Sequence, residues 1–284
     1  MSAHAERRAS RSRRRWLLTL GSVLLIAVFL FPIYWMMATA VKAPDQIVVY
    51  PPKLVPTHFD FSVWTDRIFK ESIFVRYLLN SVIVGVGTAV LSVVLAAPAA
   101  YGLAHLRIRG KGALLLLNLS ALMFPAIMIA TPLFVIFNRL GLANSYLGLI
   151  LANSTLAVPF SIVLLRPFFL SIPYELTEAA RIDGCTRFGA FARIVVPLAR
   201  PGLFTAGVFA FLLGWGDLVF ALTLVQSDEM RPVTAGLWAF FGLNVTNWNG
   251  VMALSTLAML PPLVVVLFAQ RHIVAGLTAG GVKE

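Results

Sequence analysis

Six apolar runs alternate with polar stretches along the chain, at about 16–38, 73–103, 113–137, 146–170, 202–224 and 250–270. Each is long enough to cross a ~30 Å hydrocarbon layer at the 1.5 Å rise of a helix. Helices are expected because lipid offers no partner for free backbone groups. Six crossings would return both chain ends to one side. The second run places Gly85 and Ala89, then Ser92, Ala96 and Ala100, at four-residue spacing, the pattern that lets helices approach closely in lipid. Pro98 is expected to kink that helix, and Pro261-Pro262 to break the sixth.

The polar stretches differ in kind. Residues 1–15 carry six arginines and read as a disordered tail, and 39–72 as an external loop rich in proline and aromatics, with a short amphipathic helix drawn from 61–74. Ser12-Arg13-Arg14 before an apolar run also resembles a twin-arginine export signal, and Ala38-Thr39-Ala40 would suit a signal peptidase. The length of the run, and Tyr34 and Trp35 as interface anchors, favour an uncleaved span. In the last external loop, Trp238, Phe240, Phe241 and Trp248 stand beside amides, which suits either sugar stacking or the membrane interface.

The stretch 171–200 is too polar to lie in lipid, with Glu175, Glu178, Arg181 and Asp183 close together. Ser171 and Pro173 can open a helix there. Ala179, Ala180 and Gly184 give it a surface that a partner can approach, with Ala180 and Gly184 on one side. A second amphipathic run through Phe188, Phe191 and Ile194 or Val195 ends at Pro197. Two short helices with a glycine between them are expected.

Composition fixes the class. In 284 residues, 59% are hydrophobic and the mean hydropathy is +0.86, against an apolar share of about 45–50% in soluble domains. This is a membrane protein, with lipid as its first partner. The net charge of +11 would fit nucleic acid, but the Lys and Arg excess lies in the segments placed in the cytosol, and the remaining segments carry nearly as many acids as bases. That asymmetry sets the orientation and leaves no need for a nucleic-acid role. The lone Cys185 excludes an internal disulfide, and four scattered histidines give no metal-ligand spacing.

Glu178-Ala179-Ala180, three residues, Gly184, nine residues, Ile194, and then Val196-Pro197 resembles the EAA motif of ABC-importer permeases, with Val196 where the family usually has Leu. Asn80, Tyr101 and Gly102 stand at places the family also marks. The tail Gly276, Leu277, Thr278, Gly280 and Lys283 resembles the closing sequence of maltose-type carbohydrate permeases. The resemblance implies an all-α polytopic fold of type I importers, with six transmembrane helices and both termini cytosolic. Residues 73–272 would form the permease core and 273–284 a cytosolic tail. Glu178, Ala179, Ala180, Gly184, Ile194 and Pro197 would dock the ATPase, and the tail would enter its dimer interface.

The implied assembly is a heterodimer with a second permease subunit, a cytosolic ATPase homodimer and an extracytoplasmic solute-binding protein, in the bacterial cytoplasmic membrane. This chain shows no GxxxxGK[ST] pattern and is expected to bind no cofactor itself, with ATP and Mg held by the partner ATPase. Four residues within the apolar runs are candidates for a translocation path: Asn118, Asn153, Trp215 and Asp217. Asn118 could equally make an interhelical hydrogen bond, and Asp217 could cap a helix. An ion-coupled secondary transporter is the main alternative, with Asp217 as its only intramembrane acid. A membrane enzyme would need a catalytic cluster that does not stand out.

Overall fold

The structure, a computed structural model, describes residues 2–242 and 246–279. Ten helices carry the architecture: α1 (Ser2–Thr39), α2 (Ser72–His105), α3 (Lys111–Ala121), α4 (Ala126–Arg139), α5 (Tyr146–Leu170), α6 (Glu175–Ile182), α7 (Arg187–Leu198), α8 (Arg200–Gly216), α9 (Val219–Leu224) and α10 (Trp248–Ala279). Shorter helical turns fill the loops. No strand occurs among the described residues. Four helical stretches are long and apolar enough to cross a membrane, and up to six if each bent pair counts as one.

The chain divides into two compact units, residues 1–70 with 240–257 and residues 71–239 with 258–284. In the first, α1 is exposed along its whole apolar length from Trp16 to Tyr34. The loop after it is held by buried polar groups. Lys42 Nζ donates to the Lys53 carbonyl at 2.7 Å and lies 3.9 Å from the centre of the Trp35 ring. Burial pushes its pKa down. Gln46 accepts from the Thr57 amide and hydroxyl at 2.9 and 3.0 Å. A π-helical turn at Val63–Ile68 stands where the amphipathic helix was expected.

In the second unit α2 packs most extensively on α5 and α8. Its buried stripe runs Ser81, Val84, Gly85, Thr88, Ser92, Ala96 and Ala100, one face of a helix. A methyl group on Gly214 would come within 2.9 Å of Thr88 Oγ1 and 3.3 Å of the Gly85 Cα, so α2 and α8 cross almost backbone to backbone.

Several expectations are corrected. The run 113–137 is two helices, α3 and α4, bent by 93°. Pro125 has no amide hydrogen and keeps Phe124 out of helical geometry, so the break falls there. The run 202–224 divides at Asp217 into α8 and α9. Residues from Ser2 onward belong to α1 rather than to a disordered tail.

Pro261-Pro262 do not break the last helix, which continues to Ala279 through Gly276, Leu277 and Thr278. Gly280 and Lys283 lie outside the described residues. Pro262 removes the amide that would bond the Ala258 carbonyl four residues back. The Trp215 indole of α8 donates to that carbonyl instead, at 3.2 Å.

Candidate functional site

The loop after α5 builds its shape from its own sequence. Ser171 finishes α5, its hydroxyl bonded to the Phe168 carbonyl at 2.7 Å, so it does not open the next helix. Tyr174 starts α6, and Glu175 and Glu178 fall in the first turn, where the helix dipole favours acids. At the other end the Cys185 amide bonds the Ala180 carbonyl at 2.9 Å and the Gly184 amide bonds that of Arg181 at 3.2 Å. That pair of bonds is the Schellman ending, and it puts Gly184 at φ +91°. Thr186 then opens α7 by accepting from the Gly189 amide at 3.0 Å.

The faces of this hairpin differ from expectation in one respect. Glu178, Ala179 and Gly184 are exposed, and Ile194 and Pro197 are half-buried. Ala180 is only 4% exposed and turns into the chain. Sequence reading missed Ile182, 86% exposed on this charged loop, and put Phe188, 76% exposed, on the apolar face of the second run without marking it as exposed. Their signal was available as apolar residues flanking Gly184 in a polar stretch.

An aromatic joint ties the loop to the bundle. Tyr101 on α2 lies 5.9 Å from Phe169 and 5.0 Å from Phe191, ring to ring. His105, one turn on, stacks against Tyr174 at 5.4 Å and 23°. Its Nε2 is 2.7 Å from the Phe169 carbonyl, which only accepts, so the proton sits on Nε2. Lys111 Nζ donates to the Ala104 carbonyl at 3.0 Å, satisfying one of the free carbonyls at the end of α2. Val195 and Ala199 enter the same apolar cluster as Ala100, Leu103, Leu165 and Phe169. Between the 106–110 turn and α6 lies a cavity of about 820 Å³ lined by His105, Arg107, Tyr174, Glu178 and Arg187. His105 had been weighed only as a metal ligand, and its spacing to Tyr101 was the overlooked signal.

Of the four intramembrane candidates, the structure brings two together. Asn153 and Asp217 line a cavity of about 210 Å³ with Ala126, Leu156, Gly216 and Phe220, at the breaks that begin α4 and α9. The Asp217 carboxylate accepts from the Phe220 amide at 3.1 Å and the Ala221 amide at 3.0 Å, so it caps α9. Trp215 is buried against α10, and Asn118 donates to the Pro159 carbonyl at 3.1 Å, joining α3 to α5. Asp217→Ala is expected to destabilise the purified protein by about 1 kcal/mol, with Asp217→Asn recovering most of it. Thermal melts in detergent would check this. Among the described residues no group of three His, Cys, Asp or Glu is placed to hold a metal ion.

This arrangement matches known proteins over most of its length. A family model described as a binding-protein-dependent transport system inner membrane component matches residues 92–279. The trehalose transport system permease SugB of Mycobacterium tuberculosis is 38% identical over 262 residues, covering 92% of this chain and 94% of the relative. The probable ABC transporter permease YurM of Bacillus subtilis is 36% identical over 280 residues, covering 95% and 91%. A solved bacterial ABC transporter involved in importing the acidic polysaccharide alginate superposes with a TM-score of 0.76 at 25% identity, covering 92% of this chain and 97% of that one. The chain therefore belongs to the family of binding-protein-dependent inner membrane components, the permeases of ABC importers.

Proposed function

We propose that this chain is one of two membrane subunits of an ATP-driven importer for a sugar or related solute. It crosses the bacterial cytoplasmic membrane six times with both ends in the cytosol, with the bent α3–α4 pair as one crossing and α8 followed by α9 as another. A second permease completes the pathway, an external binding protein delivers solute, and an ATPase dimer holds ATP and Mg. The sugar class is taken from the trehalose permease it resembles.

The observation that carries this reading is the loop geometry. Ile182 and Phe188 stand in water on either side of a rigid Schellman turn, on a loop otherwise charged. Exposed apolar side chains ringed by charge mark a protein interface. Closure of the ATPase dimer on ATP would move α6, and the Tyr101–His105–Tyr174 contacts pass that displacement to α2 and α5. The nucleotide then biases an equilibrium between inward- and outward-open arrangements. Asn153 and Asp217 would lie on the path opened. Residues 276–284 would contact the ATPase pair.

Purification of the tagged chain from its host in mild detergent tests the assembly. A nucleotide-binding subunit and a second permease with its own EAA loop are expected to come with it. Recovery of the chain alone or as a homo-oligomer, after crosslinking in intact membranes, would overturn the reading. A second reading, ion-coupled transport, draws on Asp217 beside a broken helix and a cavity. It predicts that uptake stops when the proton gradient collapses while ATP stays high.

A further inference from the structure

We infer that the cavity between the 106–110 turn and α6 receives an acidic side chain of the ATPase subunit, held between Arg107 and Arg187. This contact is separate from the exposed tip at Ile182 and Phe188, and it rests on the ATPase-docking reading above.

Arg107, Glu178 and Arg187 all line this one space, yet among the described residues none of the three makes an ion pair. Two guanidinium groups against one carboxylate leave the cavity one positive charge in excess. A carboxylate is the group that planar guanidinium forks take up best, by paired N–H bonds. A phosphodiester offers Glu178 on the wall no donor, whereas a protein segment can bring one beside its acid. Exposed to water the three charges interact weakly. Covered by a docked subunit, they lose much of that screening and gain weight.

The position of the cavity gives the contact a purpose. Its lining includes His105, whose Nε2 is committed to the Phe169 carbonyl and whose ring is stacked on Tyr174 at the start of α6. An occupant between the arginines therefore bears on α2, α5 and α6 together. The apolar tip would supply adhesion, while the cavity would fix the register of the docked subunit and link it to the bundle.

The test is retention of the ATPase by the tagged permease, purified with its partners at low and moderate salt. The double variant Arg107→Glu/Arg187→Glu is expected to retain at least about tenfold less ATPase than the unaltered protein, while still inserting and holding the second permease. Arg107→Lys/Arg187→Lys, which keeps both charges, should lose no more than about threefold. Equal retention by the glutamate variant would overturn the inference and leave the assembly intact. Absence of ATPase from the unaltered protein would instead overturn the assembly itself. Loss that appears only when anionic phospholipid is withheld would assign the cavity to a lipid headgroup, against the inference.

A second measurement does not depend on the reversed charges being tolerated. In a Cys185→Ser background, Arg187→Cys in inside-out vesicles should resist a charged thiol reagent while the ATPase is bound and react once it is stripped. Equal labelling in both states would also overturn the inference.

Discussion

Gly184→Val is expected to abolish solute uptake while leaving the chain in the membrane, and Gly184→Asn to keep much of it. Space does not explain this, because a Cβ at Gly184 would meet nothing within 4 Å in the chain. The constraint is the backbone at φ +91°. A β-branched residue there costs on the order of 1–3 kcal/mol, whereas asparagine tolerates the left-handed region far better. That cost falls on the two Schellman bonds to Ala180 and Arg181, so relaxation would turn α7 away from α6 and separate Ile182 from Phe188. Uptake and solute-stimulated ATP hydrolysis in reconstituted vesicles would check the order. Equal activity in the valine and asparagine variants would show that the turn is not what positions the loop.

Asn80→Leu is expected to produce the largest loss of stability. The Asn80 amide donates to the Glu229 and Arg231 carbonyls at 2.8 and 2.9 Å, and its oxygen accepts from the Tyr146 hydroxyl at 2.7 Å. The residue is fully buried, so leucine leaves two carbonyls and a hydroxyl without partners. The expected cost is about 2–4 kcal/mol. The melting temperature of the purified complex should fall by several degrees, roughly 2–4 °C per kcal/mol. The loss should be local at first. Residues 226–236 should exchange amide hydrogens faster, although Asn144 still holds the loop through the Gln226 and Ser227 amides, each at 3.1 Å. An unchanged exchange rate there would show that Asn80 is not the latch.

The contrast between these residues shows what the sequence could reveal. Lipid makes helix the only answer to a long apolar run, so the existence of the membrane helices was legible from hydropathy. The small-residue stripe of α2 was legible too, since four-residue spacing maps onto one helix face. Breaks were misjudged in both directions. Pro125 breaks its run, while Pro261-Pro262 do not, because the freed Ala258 carbonyl finds the Trp215 indole. A proline's effect depends on a partner that arrives from elsewhere in the fold, and no local pattern records it.

At the candidate site, the spacing of Glu178, Ala179, Ala180 and Gly184 was readable because it lies within a single short segment. Which of them face outward was not. Ala180 turned inward because α6 also has to pack on its own chain. The joint at His105 joins residues 64 positions apart through a side chain and a carbonyl. Such a pairing has no signature in one sequence. Asp217 was correctly open to two interpretations, and its geometry assigns it at least the capping of α9.

The bond from Trp215 to Ala258 also limits how the protein can move. If α8 slid or rotated away from α10, the indole would leave a bare carbonyl in hydrocarbon, at a cost of several kcal/mol. α8 and the part of α10 from Ala258 onward should therefore move together through a transport cycle. The bending must be taken up where backbone geometry already changes, at Ala199 before α8 and at Asp217-Leu218 after it. A proline pair that looked like a hinge thus marks a point at which two helices are tied.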